Sequence, residues 1–289
     1  MDNAALRQMV REQYAAPDAP LTFVPVGEDS WSYRLGDLWI SIRRDLRGHI
    51  PAAYTASRLL HEAGLDFVLA PLPGADGQLA HPVGGRPVLV FPYVTSTTLT
   101  RATATPDDVQ QVVSILGQVH RCAIKADLPK ETYQLTFEED LEVILGPPLT
   151  TTGGPYTAPL LDLITHGRNS ILADWAELTD LTRDCTLAAD PFVLTHGEPL
   201  ATNILRSAAG LMLIDWGEAM WATPQRDFVH VARTLGPVPR HEPFTRFYEI
   251  RWRLSEIAEY GMRFLGEHLG DDDDAAMWQR LLRYLPAST

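Results

Sequence analysis

His196-Gly197-Glu198-Pro199-Leu200-Ala201-Thr202-Asn203, followed by Leu213-Ile214-Asp215-Trp216-Gly217, is the stretch on which the reading of this chain turns. A carboxylate, Glu198, stands five residues before an amide, Asn203, and a second carboxylate, Asp215, comes twelve residues later. Apolar residues bracket these polar ones: Phe192–Leu194, Ile204-Leu205 and Leu211–Ile214 read as short strands that fix the loops between them. Asn203 and Asp215 then lie on opposite arms of a hairpin that turns at Ala208-Ala209-Gly210. Pro199 is poorly suited to a helix interior, which puts Glu198 on a loop. The side chains offer oxygen chemistry. Asn203 and Asp215 supply neutral and anionic oxygens of the kind magnesium takes when phosphates and water complete its octahedron. Glu198 could accept a hydrogen bond from a hydroxyl and orient it for in-line attack. Phosphoryl transfer asks for this kind of help, positioning and charge neutralisation, more than for covalent assistance.

Toward the N-terminus the chain reads as strands with one helix. Leu21–Gly27 and Trp31–Gly36 are short β-type runs joined by the turn-rich Gly27-Glu28-Asp29-Ser30. Leu38, Ile40 and Ile42 alternate with Trp39, Ser41 and Arg43, the period of a half-buried strand. Pro51–Ala63 sets Ala53, Ala56, Leu59 and Leu60 on one helical face, with Gly64 as a stop. Phe67–Pro71 and Pro87–Val94 are two more apolar strands, and the hairpin between them contains Gly74, Gly77 and Gly84-Gly85. Five strands and one helix make a small lobe over residues 1–95. Ser96–Thr105 reads as a linker, and residues 96–289 as a mostly helical lobe. Thr105-Pro106-Asp107-Asp108 opens a helix that Val109, Val112, Val113, Leu116 and Val119 continue. Further helices are expected at Phe137–Ile144, Leu160–Leu178, Thr245–Leu265 and Ala275–Tyr284, with a loop at Thr150–Pro155. Asp271–Asp274 reads as a solvated acidic turn, because no calcium-loop spacing surrounds it. The expected fold class is α+β.

A chain of 289 residues can form one large domain or two lobes. Its 37 acidic side chains exceed its 24 basic ones, for a net charge of −13. Nucleic-acid phosphates demand the opposite sign, so no nucleic-acid partner is expected. Such a field would steer a cationic small molecule inward, although it also serves plain solubility. No apolar run has membrane-spanning length, and the start Met1-Asp2-Asn3 does not open a signal pattern. Cys122 and Cys185 are the two cysteines and show no metal spacing. The expectation is a soluble cytoplasmic protein without a membrane partner, either a monomer or a homodimer.

His196–Asn203, Leu213–Gly217 and the Pro224-Gln225-Arg226-Asp227-Phe228 segment together resemble the aminoglycoside phosphotransferase family, a branch of the protein-kinase-like fold that phosphorylates small molecules. The lobe order matches over nearly the whole chain. The resemblance implies a magnesium-dependent O-phosphotransferase that uses ATP or GTP, often one that inactivates an antibiotic. It implies that Asn203 and Asp215 are the metal ligands and Glu198 the catalytic carboxylate. Phe91, Tyr93 and Val94 would belong to the hinge that binds the nucleobase, Leu205 and Ile214 would line the base pocket, and Asp227 would be a structural brace. His196 is expected to brace the loop through backbone hydrogen bonds.

The chain departs from the family pattern at three places. Glu198 replaces the usual Asp, which moves the carboxylate by about 1 Å, and misplacement on that scale can cost about 10²-fold in rate. Ser41 falls where the third strand normally carries a phosphate-binding Lys. Arg43 should face the same side about 6.6 Å further along and could reach a phosphate, with Arg34 as a weaker candidate. The helix at 51–63 lacks the Glu that would pair with that Lys, where Ala53 or a neighbour falls. Removing both partners of an ion pair is self-consistent, since removing one would strand the other. The Gly27–Ser30 loop is also poor in glycine, so Ser30 and Ser32 are candidates for phosphate contacts.

On the acceptor side, Glu218 and Trp221 follow the metal-binding Asp215, and Trp252, Glu256 and Glu259 lie in the helix at 245–265. Acids suit amines, and aromatic faces stack on sugars. An ordinary amphipathic helix would carry Trp252 and those glutamates equally well. The reading is therefore a small-molecule kinase whose acceptor is an antibiotic or related sugar-containing natural product. Two alternatives stand beside it: a pseudokinase-like ligand-binding protein, favoured by Ser41 and Glu198, and a kinase of an ordinary metabolite. A metal-dependent hydrolase would need more His or Asp ligands than this cluster offers.

Overall fold

Ile40 and Ile42 are fully buried, whereas Trp39, Ser41 and Arg43 are half-buried, so the strand Leu38–Arg43 (β3) has the two faces its alternation predicts. The computed structural model describes residues 3–26, 30–44, 46, 50–147, 153–188 and 190–285. Within it, β3 is the centre of a five-stranded antiparallel sheet. Leu21–Val24 (β1), Ser30–Leu35 (β2), Ala80–Val83 (β4) and Arg86–Pro92 (β5) complete it in the order β1-β2-β3-β5-β4. An N-terminal helix, Asn3–Tyr14 (α1), covers one face, packing Leu6 and Val10 on Leu35, Ile40, Ile42, Val83, Val88 and Val90. The sequence reading missed this helix, although Leu6 and Val10 stand at a helical spacing of four. The second helix, Pro51–Glu62 (α2), begins at a proline, whose missing N–H has no helical partner to lose there.

The expected strand at Phe67–Pro71 is a correction. Val68 makes a single parallel bridge to Leu213; Leu213 N–H donates to Phe67 O at 2.8 Å and Leu69 N–H donates to Leu213 O at 3.0 Å. Pro71 and Pro73 remove the donors that would extend the pairing. The fifth strand is instead β4, whose β propensity is hidden by Pro82, a residue that an edge strand tolerates. Its hairpin with β5 turns on Gly84 and Gly85, both at positive φ (58° and 75°), as a two-residue connection of this hand requires.

Ser96–Thr105 is likewise more than a linker. Ser96–Thr98 (β6) pairs with Ile204–Ser207 (β8), which pairs with Gly210–Leu213 (β9). The partner lies more than a hundred residues away, so no local pattern announces it. Thr105 then caps Pro106–Arg121 (α3) through a reciprocal box: its hydroxyl accepts from Asp108 N–H, and the Asp108 carboxylate accepts from Thr105 N–H at 2.7 Å. Val193–Thr195 (β7) pairs with Met220–Ala222 (β10), and Gln225–Thr234 (α6) follows. Neither β10 nor α6 was expected.

Packing divides the chain into two compact units, Met1–Lys130 with Pro191–Pro239, and Glu131–Asp190 with Arg240–Thr289. In the first, α2, α3, β8, β9 and the residues after β9 share one core, including Leu60, Val112, Leu116, Ile204, Leu213 and Trp216. The carboxylate loops are thereby set on the same body as the sheet. The second unit holds Glu138–Leu145 (α4), Thr157–Ala188 (α5), Phe244–Leu265 (α7) and Asp272–Tyr284 (α8). The helix expected at 160–178 extends in both directions to 32 residues. Asp271–Asp274 is not a solvated turn: Asp271 caps α8, and buried Asp274 accepts from Leu269 N–H, Gly270 N–H and Arg263. The predicted turn at Gly27–Asp29 and the loop segment 150–152 lie outside the described residues. No helix among the described residues is long and apolar enough to cross a membrane.

Candidate active site

Strand β7 delivers His196 and Gly197 into the interior, where α6 meets them with Asp227 in its first turn. The fully buried Asp227 carboxylate accepts from His196 N–H at 3.1 Å, Gly197 N–H at 2.7 Å and His120 Nε2 at 2.8 Å. Burial alone would raise its pKa; the hydrogen bond and charge of His120, with the help of His196 and Gly197, hold it below the usual carboxylate range. Gly197 has φ +101°, and a Cβ there would lie 2.4 Å from Arg226 Nη1 and 2.6 Å from Glu218 O, so only glycine fits. Arg226 in turn donates to Thr195 Oγ1 and Glu218 O.

His196 does what its place in the loop suggested. Its Nε2–H donates to Ile214 O at 2.8 Å, while Nδ1 accepts from Glu198 N–H at 3.3 Å, a pattern that requires the neutral imidazole. Burial lowers its pKa in the same sense. The 196–203 and 213–217 segments are tied at a second point, where Ile214 N–H donates to Asn203 O at 3.0 Å.

Asn203 ends a short 3₁₀ turn, Ala201–Asn203, and its Nδ2 donates to Glu198 O at 2.9 Å. The amide nitrogen is committed, and Oδ1 is the atom left to act as a ligand. Asp215 is exposed at φ +64°, in the left-handed region that Asp tolerates better than most residues. One neutral and one anionic oxygen therefore stand just outside the two ends of the β8–β9 hairpin. Among the described residues no group of three or more His, Cys, Asp or Glu is placed to hold a metal ion. An ion held by Asn203 and Asp215 would draw the rest of its shell from phosphate and water, a donor set that fits magnesium. Glu198 is half-buried, between the brace and the amide.

The face of β2 and β3 turned away from α1 carries the other candidates. Ser30 stands opposite Arg43, and Ser32 opposite Ser41. Arg34 is at the far end of this face, its guanidinium 3.8 Å from the centroid of the Tyr93 ring, which also stacks on Trp39. That leaves Arg34 four residue pairs, about 13 Å, from Arg43. Phe91 closes β5 opposite Trp39, and Tyr93 N–H is committed to Asp37 O at 2.8 Å. Leu205 and Ile214 are half-buried on and beside the β8–β9 hairpin.

Of the acceptor candidates, Glu218 is exposed within 3.9 Å of Arg226, and the Trp221 indole N–H donates to Ala126 O. Trp252 and Glu256 belong to the second unit, where Trp252 Nε1 donates to the Tyr284 hydroxyl. Sequence reasoning missed His120 and Arg226. His120 is 107 residues from Asp227, beyond any local pattern, whereas Arg226 was visible inside the Pro-x-Arg-Asp segment.

A buried Asp that braces a His-Gly-Glu loop, with an amide and a second carboxylate on tied arms, defines a class: kinase-like enzymes that move a phosphoryl group onto a hydroxyl. The chain belongs to the phosphotransferase enzyme family, whose model matches residues 41–265, and it is a small-molecule phosphotransferase with an alcohol as acceptor. It is similar to protein StrN of Streptomyces griseus, at 45% identity over 276 residues, covering 92% of this chain and 86% of StrN. In fold it is similar to the spectinomycin phosphotransferase APH(9)-Ia solved with ADP and spectinomycin (TM-score 0.79, 16% identity, 98% of this chain and 94% of that one). It also resembles the GDP complex of aminoglycoside 2'-phosphotransferase-IIIa (TM-score 0.67, 14% identity, 98% of each chain).

Proposed function

We propose that this protein transfers the terminal phosphate of ATP or GTP, with magnesium, to a hydroxyl of an antibiotic or related sugar-containing natural product. The observation that carries the reading is the pair of oxygens at Asn203 and Asp215, joined through the Ile214–Asn203 hydrogen bond. Asn203 and Asp215 would hold magnesium there, which would supply positive charge to offset that of the nucleotide phosphates. The Glu198 carboxylate accepts the hydrogen bond of the acceptor hydroxyl and aligns its oxygen for in-line attack. His196, kept neutral by its two bonds, fixes the backbone of Glu198 and takes no proton. Ser30, Ser41 and Arg43 face the phosphates. Phe91, Tyr93 and Val94 receive the nucleobase; with Tyr93 N–H already used, Val94 N–H is the hinge donor to the base. Leu205 and Ile214 pack on its ring. Glu218 and Trp221 offer an acid and an aromatic face to the acceptor; Trp252 and Glu256 are groups of the same kinds on α7.

The names of structural neighbours support a small polar acceptor: spectinomycin for one, kanamycin for another, and for a third, from Mesorhizobium loti, membership of the choline/ethanolamine kinase family. The net charge of −13 favours a cationic one. Localisation in the cytoplasm, where ATP and GTP are made, follows from this reading. The test is incubation with γ-labelled ATP or GTP and a panel of hydroxylated aminocyclitols, aminoglycosides, amino alcohols and neutral sugars. Label should pass to an antibiotic-type amine-bearing acceptor. Transfer to a simple amino alcohol alone would favour the metabolite kinase. Tight nucleotide binding with no transfer to any acceptor would favour the pseudokinase reading, to which Ser41 in place of Lys lends its support.

A further inference from the structure

We propose that Arg43, rather than Ser41, is the cation that engages the nucleotide phosphates, and that Tyr54 on α2 is the residue that positions it. This deepens the phosphotransferase reading and rests on it. Ile40 and Ile42 are consumed by the core under α1, which turns Ser41 and Arg43 to the opposite face with Ser30 and Ser32. The Arg43 Nε is buried with no hydrogen-bond partner among the described residues, an arrangement that is costly unless a ligand completes it. Its Nη1 lies 4.0 Å from the point a Cβ on Gly217 would occupy, and Asp215 Oδ1 lies 3.8 Å from that same point. The guanidinium thus reaches across from β3 to the loop that carries the metal-binding carboxylate. Ser41 has neither the reach nor the charge to do so.

Helix α2 approaches the same place from another side. Ala53, Ala56 and Leu60 pack in one core with Leu213 and Trp216, the residues that flank Asp215. Tyr54, next to Ala53, is 8% exposed. Burial pushes its phenol up to about 12, with Arg43 pulling it down and Asp215 pushing it up, so its hydroxyl lies in the field of both groups. A neutral phenol can orient a guanidinium without neutralising it. A glutamate there would offset part of the positive charge that the phosphates need, and a strand-three lysine two residues earlier would need that glutamate to aim it. Arg and Tyr replace Lys and Glu as a pair, at positions shifted along both elements.

Titration calorimetry of ATP (or GTP, if it binds more tightly) and of the matching nucleoside tests this on wild type, Arg43→Gln, Arg43→Lys, Tyr54→Phe and the double variant Arg43→Gln/Tyr54→Phe. Arg43→Gln should weaken triphosphate binding by about tenfold or more and nucleoside binding by less than about twofold, with Arg43→Lys in between. Nucleoside affinity reports that the fold is intact. Tyr54→Phe should weaken the triphosphate by about threefold in the wild-type background and not at all in the Arg43→Gln background. Equal changes for triphosphate and nucleoside would overturn the role of Arg43. The same loss from Tyr54→Phe in both backgrounds would overturn the role of Tyr54. Wild type that binds neither nucleotide would instead sink the phosphotransferase reading, and this proposal with it.

Discussion

The His196–Gly197 turn and the β2–β3 face are both polar, yet one is saturated with hydrogen bonds and the other is not. Asp227 accepts three bonds in a site sealed from water, His196 uses both ring nitrogens, and Arg226 closes the turn from behind. On the sheet, Arg43 keeps a buried Nε without a partner among the described residues, and Asp215 is exposed at a left-handed φ. A buried charge survives when its bonds are complete, and that completeness makes the turn rigid. Under the proposed function, the groups that meet phosphate and metal keep their valences open until the ligand arrives. Saturation marks the scaffold, and incompleteness marks the site.

That division can be broken by substitution on either side. Asp215→Asn keeps the shape and tolerates the same φ, so the fold should hold while transfer falls by about 10³-fold or more, read in single-turnover assays. Transfer near the wild-type rate would remove Asp215 from the site. Glu198→Gln should lower kcat by about 10²- to 10⁴-fold and leave nucleotide affinity close to wild type. If Glu198→Asp raised kcat well above wild type, the loop would not be adapted to the longer side chain. On the scaffold side, Asp227→Ala strands three buried donors and should cost about 3–5 kcal/mol in urea unfolding; a loss below about 1 kcal/mol would mean the brace is dispensable.

The smallest effect lies at the α3 cap. Arg206 and the Thr105 bonds hold Asp108 at about 2, against its burial and below the ordinary 3.8. A depressed folded-state pKa contributes stability above the unfolded value, and that stability is lost as pH falls from about 4 toward 2. Because Arg206 is largely exposed, the contribution is about 1–2 kcal/mol. Asp108→Asn should lose it at pH 7, and the gap to wild type should narrow as pH approaches 2. A gap that stayed constant with pH would assign the effect to the cap geometry alone.

Much of this is legible in the sequence. The Thr-Pro-Asp-Asp start of α3, the β8–β9 hairpin and the alternation of β3 are local patterns, and each appears where periodicity and capping place it. What stayed hidden is non-local. Ser96–Thr98 became a strand only through pairing with β8, and Phe67–Leu69 stopped short of one because Pro71 and Pro73 remove donors. Asn203, Asp215 and Glu198, the residues of the proposed site, stand out by their spacing. His120 does not, because a residue 107 positions from its partner leaves no local trace, and Tyr54 belongs to no motif.

Under the proposed function, Glu198, Asn203 and Asp215 organise direct, in-line transfer from nucleotide to acceptor on a saturated scaffold. The stereochemical course at phosphorus tests it most directly, using a nucleotide whose terminal thiophosphate is chiral through oxygen isotopes and the acceptor identified from the panel. A single in-line displacement predicts inversion of configuration. Retention would mean two displacements through a phosphorylated side chain, and would contradict the role of Glu198 as the group that orients the acceptor hydroxyl.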